Sequence, residues 1–434
     1  MRQNVLALAI PAAFKHLLDI LQILIDLIMV GSLGAAALAA VGLSMQFMMM
    51  IQVAMTLYIV GSTALISRYI GSGRVKRGSR VMFSTAYFAI ALSIVVGLSG
   101  WYFSGHFFRW MGSAEDVIVL GNRYFGILSL GMTFIFLDAL AYNALSAAGD
   151  TRSSLYIKIF SAFLNAGLNY LFIFGHGGFE AMGVAGAAYA TVCAYAFNLI
   201  LYGWIFANRR GALGIYPVFS KNDLKKVLRI GTPAAYERSI GVGSFMLFVM
   251  IIGSYGTHAM AGYQIGLRIE ALAFMPGFGF SVAAMVLAGQ NIGAKKLENA
   301  YYSGILSAKV AAMFMGSVGI VLFLFPEKLA SLFTHDLLTI EQASLYLRLV
   351  GISQIPLALT FVFSGALRGA GATKTTLRIN TLSLWCFRII PSYAVMGMGW
   401  EIVWVYVAMS METFIKGWWF WRVYQKKEWL HTTL

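Results

Sequence analysis

Charge is what this 434-residue sequence has least of: Asp, Glu, Lys and Arg together make up 11% of it, where soluble domains carry roughly a quarter. Water cannot be the main solvent of such a chain. Hydrophobic residues make up 59%, and apolar stretches of about 20 residues recur along its whole length, so it spans a bilayer many times. Cysteine is nearly absent. Cys193 and Cys386 lie inside apolar stretches in opposite halves, which excludes a stabilising disulfide framework. Motifs of soluble chemistry are missing too: there is no HExxH, no GxSxG, no GxxxxGK[ST] and no histidine pair at ligand spacing among the six histidines. The expectation is a protein that is not an enzyme and has no cofactor. Without a nucleotide site, any energy it uses comes from an ion gradient.

What charge there is has a location. The net charge of +15 could suggest nucleic acid, but the basic residues cluster between spans, so no nucleic-acid partner is expected. Arg68, Arg74, Lys76, Arg77 and Arg80 follow the second span, Arg152 and Lys158 the fourth, and Arg209, Arg210, Lys221, Lys225, Lys226 and Arg229 surround the connection from the sixth to the seventh. Lys295 and Lys296, then Arg368, Lys374 and Arg378, then Arg422, Lys426 and Lys427 continue the series, whereas the intervening loops hold little beyond Arg109, Arg123 and Lys328. By the positive-inside rule both termini are cytoplasmic and the protein is a multi-pass resident of the inner (plasma) membrane. Met1-Arg2-Gln3-Asn4 runs directly into an apolar segment too long for a signal-peptide core, so no cleavable signal is expected.

We read an all-α polytopic membrane protein with twelve spans, near residues 5–31, 38–68, 80–105, 117–146, 153–175, 183–207, 228–254, 261–292, 299–325, 340–367, 375–398 and 401–423. Tryptophans mark its interfaces, Trp101, Trp110, Trp400 and Trp404 on the outer side and Trp418, Trp419, Trp421 and Trp429 on the inner. The chain also repeats itself at a constant offset of 222 residues: Pro11-Ala12-Ala13-Phe14 matches Pro233-Ala234-Ala235-Tyr236, Gly34 to Arg74 overlies Gly256 to Lys296, and Ala144 to Leu155 overlies Ala366 to Leu377. Six spans per half make a parallel repeat, two pseudo-symmetric six-helix bundles about an axis along the membrane normal. The expected organisation is a first lobe over 1–208, a cytoplasmic linker over 209–226 and a second lobe over 227–434.

An ionisable group in the hydrocarbon costs roughly 3 kcal/mol or more, so each one needs a reason. Lys15, Asp19, Gln22 and Asp26 share one face of the first span. A structural stripe in which Lys15 and Asp19 neutralise each other is one reading, and a functional face looking into protein or water is the other. Counted from the helix ends, Asp26 and Asp138 both lie roughly 12 Å from the outer side, and Asn165, Asn169 and Thr191 fall in the same slab. Carboxylate charge with amide and hydroxyl oxygens suits a monovalent cation, and a proton can compete for the same place; the bland alternative is a polar network tying helices together. A Na⁺ ion could be held at Asp26, Asn165, Asn169 and Thr191. In the second half these positions become Phe248 for Asp26, Thr360 for Asp138, Phe387 for Asn165 and Pro391 for Asn169, so coupling is expected in the first half. Glu237 is the counterpart of Lys15, and either a Lys15–Glu237 pair across a cleft or a local pair of Glu237 with Arg238 or Arg268 would explain it. Gln264 joins Arg268 as a cleft or gating candidate.

The strings Asp26-Leu-Ile-Met-Val-Gly31, Ala147-Ala148-Gly149-Asp150-Thr151-Arg152, Gln264-Ile265-Gly266-Leu267-Arg268-Ile269-Glu270, Ala288-Gly289-Gln290-Asn291-Ile292-Gly293 and Leu367-Arg368-Gly369-Ala370-Gly371 together resemble the multidrug and toxic compound extrusion (MATE) family of the MOP flippase superfamily. The resemblance implies a V-shaped pair of lobes that exports organic cations and drugs in exchange for Na⁺ or H⁺, with Asp26 as the first-span aspartate of coupling. Where members with a first-lobe cation site have Asn, three residues, Asp, this chain has Asn165 and Asn169. Asp138 could supply the missing carboxylate, a reading from depth and not a family motif. Glu237 comes only one turn after Pro233 and the tenth span offers Gln354 in place of an acid, so the second-lobe site of other members is not expected. We expect antiport by alternating access in a monomer; the rival reading is a flippase for a lipid-linked sugar or other amphiphile of the same superfamily.

Overall fold

The computed structural model describes residues 2–208 and 213–432 and is helical almost throughout. In order, α1 is Arg2–Gly31, α2 Ala35–Gly71, α3 Val75–Trp110, α4 Glu115–Leu130, α5 Met132–Ala147, α6 Thr151–Phe174, α7 Val184–Ala207, α8 Lys221–Gly253, α9 Thr257–Gly293, α10 Leu297–Leu324, α11 Pro326–Ser331, α12 Leu337–Gly369, α13 Thr373–Leu384, α14 Ile390–Gly397 and α15 Ile402–Gln425. Among the described residues, eight single helices are long and apolar enough to cross a membrane, and α4 with α5, bent by 56° at Gly131, forms a ninth crossing. The remaining three rods depart from plain apolarity for identifiable reasons. Helix α1 carries Lys15, Asp19 and Asp26, α15 carries Glu412 and Lys416, and α13 and α14 are separated by a π-helical turn, Trp385–Ile389.

The repeat is visible in the helix ends. Helices α2 and α9 both have 37 residues, and α1 and α8 both run out at glycines that the 222-residue offset superimposes, Gly31 and Gly253. Each of α2 and α9 is entered through a left-handed glycine, Gly34 at φ 118° and Gly256 at φ 100°, a conformation that a side chain would strain. The next turn repeats too, although Gly73 at φ 73° is answered by Lys295 at φ 60°. Where the halves differ, chemistry explains it. Pro391 stands at the position of Asn169; it cannot donate an intrahelical bond, and the ladder just ahead of it widens so that the Ile390 N–H reaches the Trp385 carbonyl.

By packing, the chain divides into two units: one of residues 15–231, the other of residues 1–14 with 232–434. In the first unit, the start of α8 lies against α2, so close that a Cβ on Gly231 would sit 1.7 Å from the Leu57 carbonyl oxygen and one on Gly61 2.0 Å from that of Val227. In the second unit, the start of α1 lies against α9, where a Cβ on Gly279 would sit 2.6 Å from the Ala9 carbonyl oxygen. Positions 231 and 9, like 279 and 57, are repeat mates: the same crossing is built twice, through Gly231 and Gly61 in the first and through Gly279 in the second. Val5, Leu8 and Ala9 are accordingly buried with Phe280, Ala283 and Leu287 in the core of the second unit. Pro11 and Pro233, also repeat mates, lie inside α1 and α8 close to where each helix passes from one unit to the other.

Helix α8 begins at Lys221, within the stretch expected as linker, and Ser220 caps it by accepting the Asp223 N–H at 3.3 Å. The preceding strap is fastened to α3: Gly214 N–H donates to Ser79 Oγ at 3.1 Å, Ser220 N–H to Ser84 Oγ at 2.9 Å, and Arg80 Nε to the buried Asp223 at 2.8 Å. Arg209, Arg210 and Gly211 of the expected linker, like Met1, lie outside the described residues.

Candidate functional site

The polar face of α1 meets α6 inside the unit of residues 15–231. Asn169 Nδ2 donates to Asp26 Oδ1 at 2.6 Å and approaches Asn165 Oδ1 at 3.3 Å, so one amide ties the carboxylate to the residue a turn below. Both asparagines are buried, at 1% and 0% exposure. Asn169 Oδ1, an acceptor, has no donor among the described residues, and neither has Asn165 Nδ2 an acceptor. A buried amide oxygen without a donor costs free energy that a cation or a proton on the neighbouring carboxyl would recover.

Asp138 stands apart from that cluster and has its own amide. The kink at Gly131, where a Cβ would come within 2.4 Å of Val192, reorients α5 toward α7, and Asn198 Nδ2 of α7 donates to Asp138 Oδ1 at 2.9 Å. Asn198 Oδ1 is buried and again lacks a donor. Asp26 and Asp138 thus each hold one amide donor with an unpartnered carbonyl oxygen beside it. Thr191 is turned to its own helix, its hydroxyl donating to the Ala187 carbonyl at 3.0 Å, which leaves its oxygen lone pairs open. Tyr195 of α7 is within electrostatic reach of both carboxyls.

Nearer the basic helix ends, Asp19 takes two ammonium groups. Lys15 Nζ binds Asp19 Oδ2 at 2.8 Å and Lys158 Nζ binds Asp19 Oδ1 at 2.8 Å, while Lys158 also donates to Gln22 Oε1 at 2.5 Å. His16 Nδ1 lies 3.6 Å from the same carboxylate, and the Lys15 ammonium sits 4.3 Å from the centre of the Tyr142 ring. Two of these residues escaped the sequence reading. Lys158, counted among the loop cations, lies in α6 seven residues from Asn165 on the same helical face; that spacing was the available signal. Asn198, an amide in an otherwise apolar span, was the other.

In the second unit, Glu237 is held by Arg368 of α12 and by Thr376 Oγ1 and Asn380 Nδ2 of α13, each at 2.8 Å, and Arg238 lies within its electrostatic reach. Asn380 is the repeat mate of Lys158, and each donates to a carboxylate of its own half, Asn380 as an amide to Glu237 and Lys158 as a cation to Asp19. Gln264 and Arg268, one turn apart on α9, are both exposed. A deeper network lies on α15: Glu412, at 0% exposure, receives Arg388 of the π-turn at 2.7 Å and Lys416 at 2.9 Å, while Tyr346 donates to Glu270 at 2.5 Å.

Twelve membrane-crossing rods in two repeated halves, with embedded carboxyls tied to amides on neighbouring helices, define a polytopic transporter. The family model MatE matches the chain twice, over residues 11–171 and 233–394, and the chain belongs to this MATE family, a family of transporters and not of enzymes. The probable multidrug resistance protein NorM of Thermotoga maritima is 30% identical over 408 residues, covering 89% of this chain and 84% of that one. A MOP superfamily transporter from Pyrococcus furiosus superposes with a TM-score of 0.91 at 21% identity, covering 100% of this chain and 97% of that one. The MATE transporter VcmN of Vibrio cholerae, in its bent form, does so at 0.90 and 22% identity over 98% and 96%. These two likenesses carry the fold: twelve spans in two lobes, as the charge pattern and repeat led us to expect.

Proposed function

We propose that the protein is a cation-coupled antiporter that exports organic cations and drugs by alternating access, with Na⁺ or H⁺ binding in its first half. The observation that carries this reading is the Asp26–Asn169 contact with its unpartnered amide oxygen, because it is a buried, negatively charged place lacking one positive partner. Coupling requires that ion and drug each bind the two states of the protein with different affinity. The names of relatives such as NorM support drugs as the cargo. The basic helix ends face the cytoplasm with both termini, and the outer half of the bundle receives the ion. A flippase for a lipid-linked sugar is disfavoured by one contact set: Lys15 and Lys158, which could receive its phosphates, both engage Asp19.

Proteoliposomes loaded with a fluorescent organic cation, under an imposed Na⁺ or proton gradient, test the reading. Wild type should move the dye against the gradient and Asp26→Asn should not. Undiminished transport by Asp26→Asn would remove Asp26 from coupling, and failure of wild type to move any organic cation would favour the flippase.

A further inference from the structure

The strap of residues 213–220, ahead of α8, has a fixed backbone and an uncovered face. Leu213 is buried at 0% beside Gly78, the Gly214 N–H donates to Ser79 Oγ at 3.1 Å, and the Ser84 hydroxyl receives the Ser220 N–H at 2.9 Å while donating to the Val218 carbonyl at 3.4 Å. Ser79 and Ser84 stand four and nine residues into α3, roughly 6 and 14 Å along its axis, so the strap crosses the level near residue 80 where the third span begins. Yet Ile215, Tyr216, Val218 and Phe219 are 41–55% exposed, and the Phe219 ring lies edge-on to the exposed Tyr87 at 6.2 Å. Apolar and aromatic side chains held outward at this level fit the boundary between lipid headgroups and acyl chains.

The turns that hold the strap carry cations. Arg80 Nε binds the buried Asp223 at 2.8 Å and so clamps the first turn of α8 to the second turn of α3. Lys76 and Arg77 share the face of Arg80 one turn before it, and Lys226 shares that of Asp223 one turn after it, so the clamp gathers three more cations about one place. Asp223 is the only acid in 74–89 and 213–231 and is occupied by Arg80; among the described residues none of Lys76, Arg77 and Lys226 has an ion-pair partner. The fold does not demand this charge. The repeat mates of Lys76, Arg77 and Arg80 are Glu298, Asn299 and Tyr302, and Glu298 answers Lys427 at 3.1 Å. Orienting the chain in the membrane needs basic helix ends, but not an apolar strap fixed among them. We propose that the strap and the basic turns of α3 and α8 form a binding site for an anionic phospholipid, its headgroup phosphate among Lys76, Arg77 and Lys226 and its upper acyl chains against Tyr216 and Phe219. Unpaired cations on one face favour an acidic lipid over a zwitterionic one, whose own ammonium they repel.

The test uses the full-length protein in phosphatidylcholine vesicles that carry a minor fraction of photoactivatable lipid, either phosphatidylglycerol or phosphatidylcholine, with the cross-linked peptides mapped by mass spectrometry. Each Lys or Arg near an anionic surface is worth about fivefold in association, so phosphatidylglycerol should label residues 213–220 in roughly tenfold excess or more over phosphatidylcholine. Lys76→Gln/Arg77→Gln/Lys226→Gln should bring the two lipids near parity, whereas Lys296→Gln, in the second half, should keep the excess. Equal labelling by both lipids in wild type would overturn the proposal and leave the strap a plain lipid-facing segment. An excess that survives in the triple variant would overturn it as well. Loss of the excess on adding inorganic phosphate at constant ionic strength would give the place to a soluble anion and refute the lipid. If the triple variant does not fold, salt decides on the wild type: the excess should shrink as the attraction is screened, and an excess indifferent to salt refutes the charge argument.

Discussion

Replacing Glu412 by glutamine changes one atom's chemistry at the centre of a buried ion network and should be felt by the whole second unit. In the native protein the carboxylate, with no exposed surface, answers Arg388 at 2.7 Å and Lys416 at 2.9 Å. The amide keeps the shape and one acceptor but not the charge, leaving two cations beside a single more distant carboxylate, Glu270. Removing one partner of a buried pair costs about 3–5 kcal/mol, and the retained acceptor places Glu412→Gln near the lower end. For a unit of this size about 3 kcal/mol corresponds to roughly 6–12 °C in the unfolding midpoint. The assay is thermal unfolding in detergent followed by tryptophan fluorescence, for which Trp418, Trp419 and Trp421 lie on the same helix. Adding Lys416→Met removes one of the two orphaned cations and should restore more than half of the loss. A single variant as stable as wild type, or a double variant no better than the single, would refute the electrostatic argument.

Two further outcomes follow from packing and capping. Gly231→Ala should prevent the start of α8 from seating on α2, because its Cβ would overlap the Leu57 carbonyl oxygen at 1.7 Å; the expected result is loss of the monodisperse gel-filtration peak, whereas Gly203→Ala, with open space around it, should leave the peak unchanged. The Thr339 N–H and hydroxyl, with His258, hold the Asp336 carboxyl below its usual range at the N-terminus of α12. A depressed folded value means that its contribution is complete at neutral pH and is lost only as pH falls through the acidic carboxylate range. Amide exchange at the first turn of α12 should therefore stay flat through the histidine range, and a rise there would show that His258 dominates.

The architecture was legible because hydropathy and an exact repeat speak to backbone rods directly: the offset that aligns Gly34 with Gly256 also aligns their positive-φ turns. The kink at Gly131 was not legible, since the apolar run continues through it and the close seat of Gly131 against Val192 belongs to another helix. Side-chain partnership escaped for a similar reason. Periodicity gives the face on which Asp138, Glu237 or Lys158 lies, but not which neighbour that face meets, and it is tertiary packing that gives Asp138 to Asn198 and Glu237 to Arg368. Lys158 was grouped with the loop cations because it lies close to the basic helix end, although its ammonium turns inward to Asp19.

The exchanged helix ends bear on how such a chain could have arisen and how it can be cut. Each unit is completed by a helix start that belongs, in sequence, to the other half: residues 1–14 pack with 232–434, and residues up to Gly231 with 15–208. A duplicated six-helix ancestor that assembled as a pair would have traded the same ends between two chains, and fusion through a short connection would have made that trade permanent. Severed at the linker today, the first fragment would lack the glycine-faced helix that covers Leu57 and the second the one that covers Gly279. Neither fragment is a finished object, and each would have to find the other before it could close.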